Sequence, residues 1–222
     1  YSEDFILVIS HDEVVHGKKS LVDKCFGSYD EKFACMRTFI MYMMTLPGKK
    51  LMFMGTEYAQ FREWDFENQL EWFMTEYPRH IEMQRFVAEI NKFYLENSEL
   101  WEIDDSWDGF EWIEADLSDL NIIAYRRKNK KGRELITVLN FAPVERESFR
   151  LKVPKRKSSQ RINTSSAERT CSTATECAPI QLQTRKETSF PLLTFIFRHS
   201  EALYFASRLA KTKPALNKTE NK

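Results

Sequence analysis

The chain has 222 residues, enough for one or two domains with a real core, and its 42% hydrophobic and 14% aromatic content marks most of it as folded rather than disordered protein. Net charge is zero but uneven: residues 145–222 hold 16 Lys+Arg against 7 Asp+Glu, and no aromatic residue alternates with the basic ones from Lys155 to Arg169, which favours a solvated segment over a nucleic-acid surface. No apolar stretch approaches 18 residues, no secretory signal is present, and Cys25, Cys35, Cys171 and Cys177 show neither a C-x-x-C pair nor zinc-ligand spacing, so the expectation is a cytoplasmic chain with free thiols and no membrane partner.

The first element is Phe5-Ile6-Leu7-Val8-Ile9, a short continuous apolar run of the kind that forms a strand buried on both faces. It stops at "SHDEVVHGKKS", a polar cluster. Ser28 and Glu31 have capping-box spacing, and Phe33, Met36, Ile40 and Met43/Met44 recur behind them at helical intervals up to Pro47-Gly48. Leu51-Met52-Phe53-Met54 reads as a second buried strand, closing on Gly55. A long polar loop then leads to an amphipathic helix from about Arg79 to Glu96, with Met83, Phe86/Val87, Ile90 and Phe93/Tyr94 on one face. Strand, polar loop, helix, strand, polar loop, helix is the repeat of a parallel α/β fold. In a βα barrel the functional groups lie just past the C-terminal ends of the strands, where both polar clusters fall.

From about Trp101 the period changes. "FEWIEAD", "NIIAYRRK", "ELITVLNF" and "FRLKV" are β-rich runs separated by polar connections, and Lys130-Lys131-Gly132 reads as a hairpin turn. This is an antiparallel all-β module. Periodicity is lost from Lys155 to Glu187; "LLTFIF" and "ALYFAS" read as strands again, and the polar residues from Arg208 read as a disordered tail. The aromatic content serves the core in the simplest reading, so Trp72, Trp101, Trp107 and Trp112 are placed in the core or at a domain interface.

Carboxylate and imidazole groups at a strand end point to chemistry or metal. His11 and His16 are five residues apart, whereas a helical zinc pair needs four, so metal is disfavoured. Ser10, His11 and Asp12 are adjacent and point in different directions, whereas a Ser-His-Asp triad is assembled from distant positions. Two readings remain open on the residues alone. One is sugar chemistry, in which a carboxylate and a neighbouring imidazole hold the hydroxyls of an oxocarbenium-like sugar. The other is a satisfied, purely structural polar cluster.

"SHDEVVHGKKS" together with "PGKKLMFMGTEYAQFREWD", continued by "GFEWIEAD" and "VLNFAPV", closely resembles the end of the catalytic barrel and the following domain of glycogen (1,4-α-glucan) branching enzymes. These belong to the α-amylase superfamily, glycoside hydrolase family 13. His-Asp at a strand end is common to the superfamily; "EVVHGKKS" narrows the likeness to branching enzymes, and it covers roughly residues 1–154. A fainter match returns at "NTSSAE", "API", "KETSFP" and "ALYFAS".

The resemblance implies an α/β plus all-β architecture: residues 1–99 as the last two βα units of a (β/α)8 TIM barrel, residues 100–206 as a C-terminal antiparallel β-sandwich, and 207–222 as a basic tail. Ile6–Ser10 would be barrel strand seven and Leu51–Met54 strand eight. Asp12 would be the third catalytic carboxylate, stabilising the transition state, and His11 its hydrogen-bonding neighbour. Glu13, His16, Lys18 and Lys19 would shape the adjoining subsite, with Glu57 of "GTEYAQ" and Trp64 of "REWD" on the rim after strand eight. The implied reaction is a retaining transglycosylation: an α-1,4 bond of a glucan is cleaved and the chain passed to a 6-hydroxyl, with glycogen or a related α-1,4-glucan as partner and no cofactor.

The nucleophile and general acid of that family stand on strands four and five, which would precede Tyr1; Glu13, adjacent to Asp12, cannot supply the flanking positions that double displacement needs. The chain is therefore expected to be a C-terminal piece, inactive and aggregation-prone alone because two strands cannot close a barrel. After "SAE" the family continues with Tyr and a Gly pair, where this sequence has Arg169-Thr170-Cys171-Ser172, and none of its six glycines follows Gly132. A shifted reading frame or divergence between Pro154 and Ala178 accounts for that gap. The contrasting expectations are a non-catalytic glucan-binding or interaction module and another α-amylase-like glycosidase.

Overall fold

The computed structural model describes residues 4–114, 116–144, 148–154, 177–183 and 194–198. Strand β1 (Ile6–Ile9) pairs in parallel with β2 (Lys49–Met52), register Ile6 to Lys49 and Ile9 to Met52. Between them run a single short helix turn α1 (Leu21–Lys24) and the long helix α2 (Tyr29–Thr45). Ser28 caps α2 as its sequence announces: the Ser28 hydroxyl accepts from Glu31 N, and the Glu31 carboxylate accepts from Ser28 N at 2.6 Å. Gly48 turns the chain into β2 with φ +107°, a conformation that favours glycine, and a Cβ there would sit in a tight contact 3.2 Å from the Phe5 carbonyl oxygen.

Helix α3 (Pro78–Glu96) starts on a proline at its first helical position and packs against α2. Phe33, Met36, Ile40 and Met44 of α2 and Met83, Phe86, Val87 and Ile90 of α3 form the bulk of one buried cluster. Each large side chain removed from water there contributes roughly 2 kcal/mol.

Strands β3 (Phe110–Glu114), β4 (Ile122–Lys128), β5 (Glu134–Asn140) and β8 (Thr194–Arg198) form an antiparallel sheet in the order β3-β4-β5-β8. Strands β6 (Ser148–Pro154) and β7 (Cys177–Gln183) form a separate antiparallel pair. The β4–β5 connection is the hairpin expected at Lys130-Lys131-Gly132: the Asn129 carboxamide oxygen accepts from both Lys131 N and Arg133 N, and Gly132 takes φ +71°.

Side chains alternate across the four-stranded sheet. Tyr125, Leu135 and Leu139 face the helical layer and join its cluster, whereas Ile122, Ala124, Ile136 and Val138 face the other way and pack with Leu151 of β6. Both faces are thereby covered, and β5 is buried along nearly its whole length.

The helical layer is tied to the sheet by polar groups as well. Arg127 is fully buried and donates to the carbonyls of Gly109 (3.2 Å), Thr45 (3.2 Å) and Ile103 (3.3 Å) and to Asp104 Oδ1 (2.6 Å). Tyr125 and Thr45 share a hydroxyl–hydroxyl hydrogen bond of 2.5 Å. Burial pushes the Lys50 pKa down to about 7 against a weaker pull from Asp104, and its ammonium lies over the Tyr94 ring.

Several expectations are corrected. β1 is not buried on both faces: Ile9 is buried, but Ile6 is 60% and Val8 49% exposed, because the parallel sheet has only two strands among the described residues and nothing covers that face. The second strand spans Lys49–Met52 rather than Leu51–Met54, its register being set by pairing with β1, and Phe53 already leaves the sheet. Trp72, Trp107 and Trp112 are exposed by more than two-fifths; Trp72 and Trp107 sit on short 3-10 turns at the surface, while Trp112 places its edge against Tyr125 and Phe110. The expected strand at "ALYFAS" and the basic tail 207–222 lie outside the described residues.

Candidate functional site

The polar cluster after β1 begins with a 3-10 turn at His11–Glu13. Ser10 caps it: its hydroxyl accepts from Asp12 N at 3.2 Å, and the Glu13 carboxylate accepts from Ser10 N at 2.6 Å. Burial raises the Glu13 pKa, but the bonds from Ser10 outweigh it and leave the carboxyl below its ordinary value. Glu13 thus spends its carboxylate on shaping the turn. That closure leaves the Asp12 side chain 72% exposed at the mouth of β1, with His11 Nε2 3.3 Å from its Oδ1.

The cluster after β2 supplies the facing wall. The Trp64 ring meets the His11 ring edge-on at 4.9 Å between centroids, and Phe53 closes the trio, 6.3 Å from His11 and 6.1 Å from Trp64. Trp64 N donates to the Val14 carbonyl at 2.7 Å, and behind this contact a shallow recess is lined by Val14, Phe53, Thr56, Gln60, Arg62 and Trp64. His11, Asp12 and Trp64, named from sequence, therefore lie together.

The remaining residues are distributed around them. Lys18 Nζ donates to the Asp12 carbonyl at 2.9 Å, and Lys24 Nζ donates to the Glu13 carbonyl. His16 is fully solvent-exposed, 3.5 Å from Glu63. Lys19 adopts a left-handed backbone, φ +65°. Glu57 is half-buried in a 3-10 turn at Thr56–Tyr58, on the same post-β2 segment as Trp64. Among the described residues no group of three or more His, Cys, Asp or Glu side chains is gathered to hold a metal.

One residue at the site was missed by the sequence reading. Glu63 accepts from Gly17 N (2.8 Å) and Lys19 N (2.5 Å), and these two bonds hold its carboxyl below the usual carboxylate range. Its partners are backbone amides more than forty residues away, which no side-chain pattern announces; membership in "REWD" was the only available cue.

Exposed carboxylate, adjacent imidazole and aromatic edge at the end of a parallel strand can hold polyhydroxyl groups by hydrogen bonds and an apolar sugar face by contact. No helix among the described residues is long and apolar enough to cross a membrane.

Comparison with known proteins gives a consistent result. Residues 112–199 match the family described as "Alpha amylase, C-terminal all-beta domain". The chain is 47% identical over 170 residues to the 1,4-alpha-glucan branching enzyme GlgB of Halothermothrix orenii, covering 76% of this chain and 27% of that protein. It is 48% identical over 156 residues to GlgB of Aquifex aeolicus, covering 70% and 25%. Among solved structures it resembles the catalytic module of the multi-modular glycogen-degrading pneumococcal virulence factor SpuA in complex with an inhibitor, with TM-score 0.53 and 13% identity over 83% of this chain and 35% of that one; at such identity the likeness speaks to fold alone. The chain spans about a quarter of the length of the curated relatives it matches. The chain is thus similar to part of the 1,4-alpha-glucan branching enzymes, and its residues 112–199 are similar to the C-terminal all-beta domain of alpha amylases.

Proposed function

We propose that this chain is the C-terminal part of a 1,4-α-glucan branching enzyme, a retaining transglycosylase that cleaves an α-1,4 bond and rejoins the chain to a 6-hydroxyl. The observation that carries the reading is the 47% identity over 170 residues to a branching enzyme, which is 76% of this chain. The parallel β1–β2 pair with polar loops at both C-terminal ends supports assigning residues 1–99 to the last two βα units of a (β/α)8 barrel and residues 100–206 to the C-terminal domain.

In this reading Asp12 steadies the positively charged sugar and His11 donates to one of its hydroxyls. Trp64, Glu57, His16, Lys18 and Lys19 bound the glucan path, with Glu13 holding the turn that presents Asp12. The nucleophile and general acid would come from outside this segment. A sugar acceptor must outcompete water, which suits an extended rim of shallow contacts better than a closed pocket.

The test is Asp12→Asn in the protein expressed from its complete reading frame. Turnover is expected to fall by roughly a thousandfold or more, the scale of losing a group that acts in the transition state. The α-1,6 linkage content of the glucan product is the measurement. Wild-type branching in the Asp12→Asn variant refutes the assignment.

A further inference from the structure

We infer that Glu63 is a positioning residue: its carboxylate clasps the backbone of the loop after β1 and thereby fixes Asp12 and His11 against Trp64. This rests on the proposed function for its catalytic meaning, and on geometry alone for the clasp.

Glu63 stands beside Trp64 on the segment after β2, while Gly17 and Lys19 belong to the loop after β1. Both N–H groups point at the one carboxylate, at 2.8 and 2.5 Å. Two charge-assisted bonds converging on one side chain are stronger and more directional than neutral ones. The loop is shaped to make them: Gly17 (φ +84°) and Lys19 (φ +65°) both take the left-handed region, and for lysine that conformation persists only where surrounding contacts enforce it.

Other ties act on the same loop: Trp64 N donates to the Val14 carbonyl, Lys18 Nζ donates to the Asp12 carbonyl, and Lys24 Nζ of α1 donates to the Glu13 carbonyl. Glu63 holds the loop from the segment after β2 through a charge. The nearby His16 ring is too exposed for its ion pair with Glu63 to carry the effect. Since Trp64 follows Glu63 directly and its ring abuts His11, moving Glu63 shifts both walls of the site together.

The test uses the protein expressed from its complete reading frame, as wild type, Glu63→Gln, Glu63→Asp and Asp12→Asn. Glu63→Gln retains one accepting oxygen and presents an NH2 to the second donor. Hydrogen exchange at Gly17 and Lys19 is expected to quicken about tenfold or more while amides in the middle of α2 stay unchanged. With a linear α-1,4-glucan, kcat is expected to fall about tenfold or more with KM within about twofold, because the reacting geometry loosens while the chain still binds. Glu63→Asp, which keeps the charge on a shorter stem, recovers part of both and serves as the folded reporter if the glutamine variant is unstable.

Unchanged exchange in both variants overturns the clasp. Quickened exchange with unchanged kcat, or a loss confined to KM, overturns the positioning role. Wild-type turnover in Asp12→Asn sinks the functional reading instead, and the exchange data still decide whether the clasp exists.

Discussion

The parallel β1–β2 pair and the four-stranded antiparallel sheet handle apolar strands differently. Strand β5 has six of seven residues buried, because helices cover one face of its sheet and β6 covers the other. Strand β1 is wholly apolar but among the described residues has only its parallel neighbour β2, and Val8 and its register partner Leu51 stand 49% and 44% exposed side by side. An apolar run therefore specifies that a strand seeks cover, without specifying that the same segment of chain supplies it. The antiparallel sheet finishes its own core; the parallel pair presents an apolar face.

Four measurements probe that contrast. The largest effect is expected at the join between the two layers. Arg127→Met removes the guanidinium that bonds Gly109, Thr45, Ile103 and Asp104, depriving the buried Gly109 and Thr45 carbonyls, the half-buried Ile103 carbonyl and the Asp104 carboxylate of that donor. A loss of about 3–5 kcal/mol is expected in denaturant unfolding; a shift below about 1 kcal/mol would mean the sheet holds the helices by apolar contact alone.

Next is a matched pair of truncations. Ile136→Ala, fully buried in β5, is expected to cost about 2–5 kcal/mol, whereas Ile6→Ala in β1 costs under about 1 kcal/mol. Equal losses, read from the same unfolding curves, would erase the distinction between the sheets. Ser28→Ala strips the cap of α2 and is expected to lower stability by about 1 kcal/mol, seen as a small drop in melting temperature.

The smallest effect is on reactivity. Cys25 Sγ donates to the Leu21 carbonyl at 3.7 Å. Interaction with the neighbouring Cys25 thiol lowers the Cys35 pKa to about 7, against burial, and the same interaction raises that of Cys25. Because a depressed acid ionises earlier as pH rises, Cys35 is expected to alkylate faster than Cys25 at pH 7.5, with a rate midpoint near neutrality; mass-spectrometric labelling by site checks it. Equal rates would show the two thiols to be independent.

What could be read from sequence follows from how local each signal is. Helix α2 was legible because Ser28 and Glu31 sit three residues apart and the apolar positions repeat at the helical period. The hairpin at Asn129–Arg133 was legible because Gly132 marks its left-handed position. Asp12, His11 and Trp64 came from a resemblance, and their proximity is a matter of loop packing that no periodicity encodes.

Arg126 and Arg127 were illegible: "NIIAYRRK" reads as a β-rich run, and nothing in it announces that both arginines are buried. Arg126 is paired with Glu111 and Glu134 on one face, and Arg127 is buried on the other. Glu63 was hidden for the same reason, since its partners are peptide N–H groups, which every residue except proline possesses. The start of β2 was misplaced by two residues because Lys49 and Lys50 are polar; their place in the sheet comes from pairing with Ile6 and Leu7.

The buried guanidinium of Arg127 bears on anyone who would transplant the β domain. A cut near residue 100 would deprive it of the Thr45 carbonyl and of the helical side chains that wrap Tyr125 and Leu139. Such a graft would arrive with its guanidinium one partner short and with an open oily flank. The seam between the layers is thus no place for scissors: the sheet is portable only with the end of α2 still attached.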